Sequence, residues 1–150
     1  MKRFRRLRSS EAVRNLVRET KVSKSELIYP IFIEEGENIK KPVESMPGIF
    51  RYSIDRADEL LEEITDSSIS GLLIFGIPKH KDELATSAYD DNGVTQQAIR
   101  YIKENYPKLL VIADVCLCEY TSHGHCGVVH DHKIINDETL PLLSTRLHRL

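Results

Sequence analysis

The chain contains no apolar run approaching the ~20 residues that a membrane-spanning helix requires, so no span and no membrane partner are expected. Residues 1–10 carry five basic side chains and no apolar h-region follows them, so a secretory signal is not expected either. There is no internal repeat and no low-complexity tract. Cysteine is scarce, with three residues in 150. A cytoplasmic, reducing setting fits these features, and clustered cysteines there more often bind metal or react than form disulfides. What remains is an ordinary globular composition, 41% hydrophobic and 29% charged, at the length of one domain.

The net charge of -2 hides an asymmetry. Residues 1–24 hold nine Lys or Arg against two Glu, which leaves an acidic remainder. A basic arm can bind nucleic acid. This one has a single aromatic, Phe4, and no recognisable nucleic-acid motif, so no nucleic-acid partner is expected. Docking on an acidic surface, such as that of a neighbouring subunit, is the expectation instead.

Ser9 and Ser10 read as a helix start, with Glu11 in the first turn and Ala12, Val13, Leu16 and Val17 on one face. Residues 27–33 are strand-like, and Pro30 within them argues for an edge strand or an extended arm segment. Residues 34–48 are charged and hold Pro42, Pro47 and Gly48, which predicts a surface loop. Residues 55–64 form a second helical pattern through Ala57, Leu60, Leu61 and Ile64. Residues 71–77 are a continuous apolar run, as in a strand buried on both faces. Val94, Ala98, Ile99, Ile102 and Tyr106 make a helical stripe that Pro107 ends, and residues 109–113 are a second buried strand. This β-α-β order predicts an α/β fold with a parallel sheet.

All three cysteines follow that second strand, in Asp114-Val115-Cys116-Leu117-Cys118-Glu119-Tyr120-Thr121-Ser122-His123-Gly124-His125-Cys126-Gly127. In α/β folds chemistry collects at the carboxyl ends of parallel strands. Cys116 and Cys118 are two apart, so an extended chain turns both to one side, and Gly124 allows a bend that returns Cys126 to them. Three thiolates suit a soft metal such as zinc. Three protein ligands leave a position for water or substrate, whereas His123 or His125 as a fourth would make the site structural. The alternative is three unliganded cysteines. Three thiolates on Zn²⁺ leave a formal charge of -1, which weakens the ion as a Lewis acid and disfavours a hydrolase. Asp114 at the strand end is a candidate to orient an amine or relay a proton, or else a loop cap.

These residues resemble the metal signature of zinc-dependent porphobilinogen synthases, also called 5-aminolevulinate dehydratases. Further matches follow in order: Arg5-Arg6-Leu7-Arg8, Leu27-Ile28-Tyr29-Pro30, Ser45-Met46-Pro47-Gly48, Phe75-Gly76-Ile77-Pro78 and Asn136-Asp137-Glu138-Thr139-Leu140. The resemblance implies an N-terminal arm, residues 1–33, that wraps a neighbouring subunit of a homo-oligomer. It implies that residues 34–150 are the first part of a (β/α)₈ TIM barrel. It also implies condensation of two 5-aminolevulinate molecules to porphobilinogen with loss of two waters, Zn²⁺ held by Cys116, Cys118 and Cys126, and Asp114 as a substrate-side carboxylate.

The resemblance is incomplete. A whole barrel takes ~250 residues. The family's Schiff-base lysines lie in its second half, and none of Lys79, Lys81, Lys103, Lys108 or Lys133 sits in the context of either. The isolated chain is therefore expected to be inactive, as a truncated gene product or as a zinc-binding fragment that docks on intact subunits. After a helix start at residues 136–139 comes Pro141, and a shift of frame near that residue is one reading of the tail. Leu140, Leu143, Leu147 and Leu150 keep a helical stripe that predicts a short terminal helix. A half barrel exposes sheet edges and apolar strand faces, so such a piece is expected to be unstable or to associate with itself.

Overall fold

The computed structural model describes residues 4–150. A short helix α1, Glu11–Leu16, follows a 3₁₀ turn; the Ser10 side chain accepts a hydrogen bond from the Val13 N–H and caps it. Strand β1, Ile28–Glu34, comes next, then β2, Lys40–Pro42, and β3, Phe50–Tyr52. Helix α2, Asp58–Asp66, leads to β4, Gly71–Ile77. Helix α3, Val94–Asn105, leads to β5, Leu110–Ala113. A two-stranded hairpin of β6, Val129–His130, and β7, Lys133–Ile134, precedes helix α4, Asn136–Arg149.

The main sheet runs β2-β3-β1-β4-β5. Its strands β3, β1, β4 and β5 are parallel and β2 is antiparallel to β3. The units β1-α2-β4 and β4-α3-β5 are the repeating element of a parallel α/β fold. Ile31, Ile33, Leu72 and Ile74 point to one face and are buried under Leu60, Leu61 and Ile64 of α2 and Val94, Ala98 and Ile102 of α3. Two tyrosines tie the helices together, since Tyr101 and Tyr106 both donate to the Asp58 carboxylate. The opposite face carries Phe32 stacked on Phe75, with ring centroids 5.5 Å apart and both rings only half-buried.

Several elements differ from the sequence expectations. Residues 28–34 are not an edge or arm segment but the middle strand of the sheet. Pro30 is tolerated because β3 pairs with β1 only from Phe32 onward, so no neighbour on that side asks for its missing N–H. The loop expected over residues 34–48 contains β2. Among the described residues strand β5 is an edge rather than a strand buried on both faces, and Leu110 is 59% exposed. The terminal helix runs through Pro141, whose neighbouring turn is exposed to water. Its buried face is shifted by one residue from the leucine stripe. Leu140 and Leu147 are exposed, whereas Thr139 and Arg146 are buried and Leu142 and Leu143 pack inward. Among the described residues no helix is long and apolar enough to cross a membrane.

Candidate metal centre

The cysteine segment begins where β5 ends, and the Asp114 N–H reaches the Ile74 carbonyl at 3.4 Å to extend the pairing by one residue. The chain then turns sharply. The N–H groups of Tyr120 and Thr121 both donate to the Leu117 carbonyl at 2.9 Å. Leu117 and Tyr120 are the anchors of this turn and are buried with Ala85 and Ala88 in a second apolar cluster. With Leu117 inward, the cysteines on either side of it are turned the other way and remain half-buried. The turn is also held from outside. Asp82 pairs with Thr121 in an isolated bridge, and the Ser122 N–H donates to the Asp82 carbonyl.

Glycine at position 76 is required by this packing. A Cβ there would lie 2.1 Å from Thr95 Oγ1 and 2.6 Å from the Tyr120 hydroxyl. Those two hydroxyls hydrogen-bond at 2.6 Å, and both residues are buried. The hydrogen bond joins α3 to the cysteine segment across the surface of β4. Gly124, at φ +76°, makes the return bend, and the Thr121 hydroxyl donates to the His125 carbonyl across it.

The bend brings the sulfurs together. Cys116 Sγ is 3.2 Å from Cys118 Sγ and 3.1 Å from Cys126 Sγ. The three ligand atoms all lie within 4.8 Å of one another, and all three cysteines are free thiols. Asp114, Cys116 and Glu119 form a second such group that shares Cys116, so the Asp114 carboxylate borders the sulfur cluster. Neither His123 nor His125 belongs to either group. Their rings lie 5.5 Å apart, and His123 Nδ1 accepts the His125 N–H. Burial, reinforced by hydrogen bonding to the other two thiols, pushes the Cys118 thiol well above the usual range. Its hydrogen bond with Cys116, followed by burial, raises Cys126 as well. Both shifts favour the neutral thiol over the thiolate. Three convergent soft donors with no disulfide between them fit a metal ion.

Sequence reasoning missed the support beneath the cluster. Arg146 of α4 is 1% exposed, and its guanidinium donates to the carbonyls of Asp114 and Cys116. Thr139, on the same face of α4, accepts the Val128 N–H at 3.0 Å and donates to the Ile135 carbonyl. Thr139, Leu142, Leu143 and Arg146 follow the i, i+3, i+4, i+7 spacing of one helix face. The pattern was present in the sequence, but a count of apolar residues alone passes over it.

Comparison with known proteins agrees with this architecture. Residues 1–147 match the family described as Delta-aminolevulinic acid dehydratase. The dehydratase of Halalkalibacterium halodurans is 50% identical over 143 residues, which cover 95% of this chain and 44% of that protein. That of Ruminiclostridium josui is likewise 50% identical over 143 residues, 95% of this chain and 70% of the relative. The crystal structure of porphobilinogen synthase from Toxoplasma gondii, in complex with the reaction product porphobilinogen, superposes with a TM-score of 0.90 at 36% identity. It covers 99% of this chain and 43% of that one. The chain thus spans under half the length of the first of these relatives and of the solved structure. With a parallel sheet that matches the N-terminal part of that TIM barrel, the chain belongs to the delta-aminolevulinic acid dehydratase family.

Proposed function

We propose that this chain is the zinc-holding part of a porphobilinogen synthase, the lyase that condenses two molecules of 5-aminolevulinate to porphobilinogen in tetrapyrrole synthesis. The observation that carries the reading is the convergence of Cys116, Cys118 and Cys126 at the carboxyl end of β5, in a chain of this family. The three cysteines hold the ion, and a reducing cytoplasm keeps them free of disulfides. When bound there, zinc supplies a weakly acidic, soft centre that holds and polarises an amine or carbonyl. Asp114 borders the cluster, where its carboxylate orients the substrate amine or takes its proton.

The covalent half of the reaction needs a lysine whose pKa is lowered by burial or by a neighbouring cation. Every described lysine is exposed, including Lys79, Lys81, Lys103, Lys108 and Lys133. The isolated chain therefore binds metal and makes no porphobilinogen. Residues 4–27 support the docking role. Phe4, Leu7, Leu16, Val22 and Leu27 are exposed at 45–88%, and α1 buries nothing. An apolar, basic segment left largely exposed by the described residues fits a neighbouring subunit.

Borohydride trapping tests the division of labour. The purified chain is incubated with zinc and 5-aminolevulinate, reduced, and analysed by mass spectrometry alongside a porphobilinogen assay. No specific lysine adduct and no product are expected. A single modified lysine together with product would overturn the assignment.

A further inference from the structure

Arg146 is the largest fully buried side chain among the described residues. A guanidinium does not lose its proton in a protein, so a full positive charge is buried here. The groups it touches are neutral. It donates to the carbonyl oxygens of Asp114, at 2.6 Å, and of Cys116, and lies 4.4 Å from the centre of the Tyr120 ring. The Tyr120 hydroxyl is 3.5 Å away, and Nε has no partner. Among the described residues no carboxylate lies within the 4.0 Å of an ion pair with it. A buried charge without a counter-charge is costly. Carbonyl dipoles and a ring face offset part of that cost.

The missing counter-charge stands next to it. Cys116, whose carbonyl the guanidinium holds, is the sulfur shared by both contacts of the cluster. Three thiolates around a divalent ion carry a formal charge of -1, the Asp114 and Glu119 carboxylates border them, and the Arg146 cation offsets part of that negative charge. Helix α4 also grips the loop at both ends, with Arg146 on residues 114 and 116 and Thr139 on residue 128. The two gripping residues are seven apart, about 10.5 Å along the helix axis.

We propose that Arg146 is a positioning residue of the metal centre, which fixes the backbone of residues 114–116 and supplies positive charge that partly balances an anionic thiolate–metal cluster. This inference rests on the zinc reading above, and the test separates the two. Zinc affinity of the 150-residue chain is measured by competition with a chromophoric chelator for wild type, Arg146→Lys, Arg146→Gln and Arg146→Met. Amide hydrogen exchange over residues 114–121 is measured on the same proteins without metal. Arg146→Met is expected to bind zinc about tenfold more weakly or worse, a change of about 1.4 kcal/mol. Arg146→Lys, which keeps the charge, is expected to bind more tightly than Arg146→Gln, which keeps donors alone. Exchange over residues 114–121 should accelerate in the Met variant while that of α3 and β4 stays unchanged.

A folded Arg146→Met protein with wild-type zinc affinity and wild-type exchange overturns the proposal. Should that variant not fold, equal affinities for the Lys and Gln variants overturn the charge role. A wild-type chain that binds no zinc refutes the zinc reading and the charge role with it. The exchange data then decide the backbone role alone.

Discussion

Cys116 Sγ lies 3.1 Å from Cys126 Sγ, although the two are ten positions apart in the chain. That closure depends on neighbours that carry no metal chemistry: Leu117 and Tyr120 turned inward, Gly124 at positive φ, and α4 clamped across the loop. The testable consequences begin with those neighbours.

Gly76→Ala should weaken the whole loop. The added methyl meets the buried Thr95 and Tyr120 hydroxyls, which must separate. Overpacking of this kind costs about 1–3 kcal/mol. Urea denaturation followed by circular dichroism should show a lower midpoint with little change in slope. Gly124→Ala, where nothing lies within 4 Å of the new methyl, should cost only the left-handed backbone strain of about 1–2 kcal/mol. A Gly76→Ala protein as stable as wild type would refute the close approach.

Alkaline stability should track the pair of tyrosines on Asp58. Hydrogen bonding to the Asp58 carboxylate, then burial, pushes Tyr101 up to about 12. Burial, then the same carboxylate, raises Tyr106 as well. Both shifts favour the neutral phenol in the folded state. Their stabilisation is therefore complete below the ordinary tyrosine value near ~10 and is lost as pH rises through about 12. Chemical denaturation at several pH values should show wild-type stability falling over that window. Tyr101→Phe should be less stable at pH 8 and show a shallower fall, and parallel curves would argue against the pair.

The arm should matter for assembly and not for the core. Removal of residues 1–24 takes away Phe4, Leu7, Leu16 and Val22, all largely exposed, and leaves β1 in place. Light scattering should report a smaller mass with unchanged far-UV circular dichroism. An unchanged mass in a folded protein would remove the arm from the interface.

Much of the framework was legible in the sequence because local pattern and tertiary role coincide there. The apolar run at residues 71–77 became β4, and the stripe from Val94 became α3, with Tyr106 capping it just before Pro107. Cysteine spacing located the cluster because a strand end and a glycine bend constrain a short segment strongly. The rest depends on partners far along the chain. Pro30 reads as an edge signal unless the late start of β3 is known. Residues 109–113 read as a buried strand, yet β5 has a neighbour on one side only among the described residues. Arg146 reads as a solvated cation in a basic tail, and only the fold turns it beneath Asp114 and Cys116.

The most direct test of the central claim is the zinc content of the reduced, purified 150-residue chain beside that of Cys118→Ser, measured by elemental analysis with protein concentration from amino-acid analysis. The three-thiolate centre predicts about one equivalent of zinc in wild type and loss of most of it in the variant, since one soft ligand in three is gone. Equal zinc in the two proteins, with Cys118→Ser folded, would contradict it.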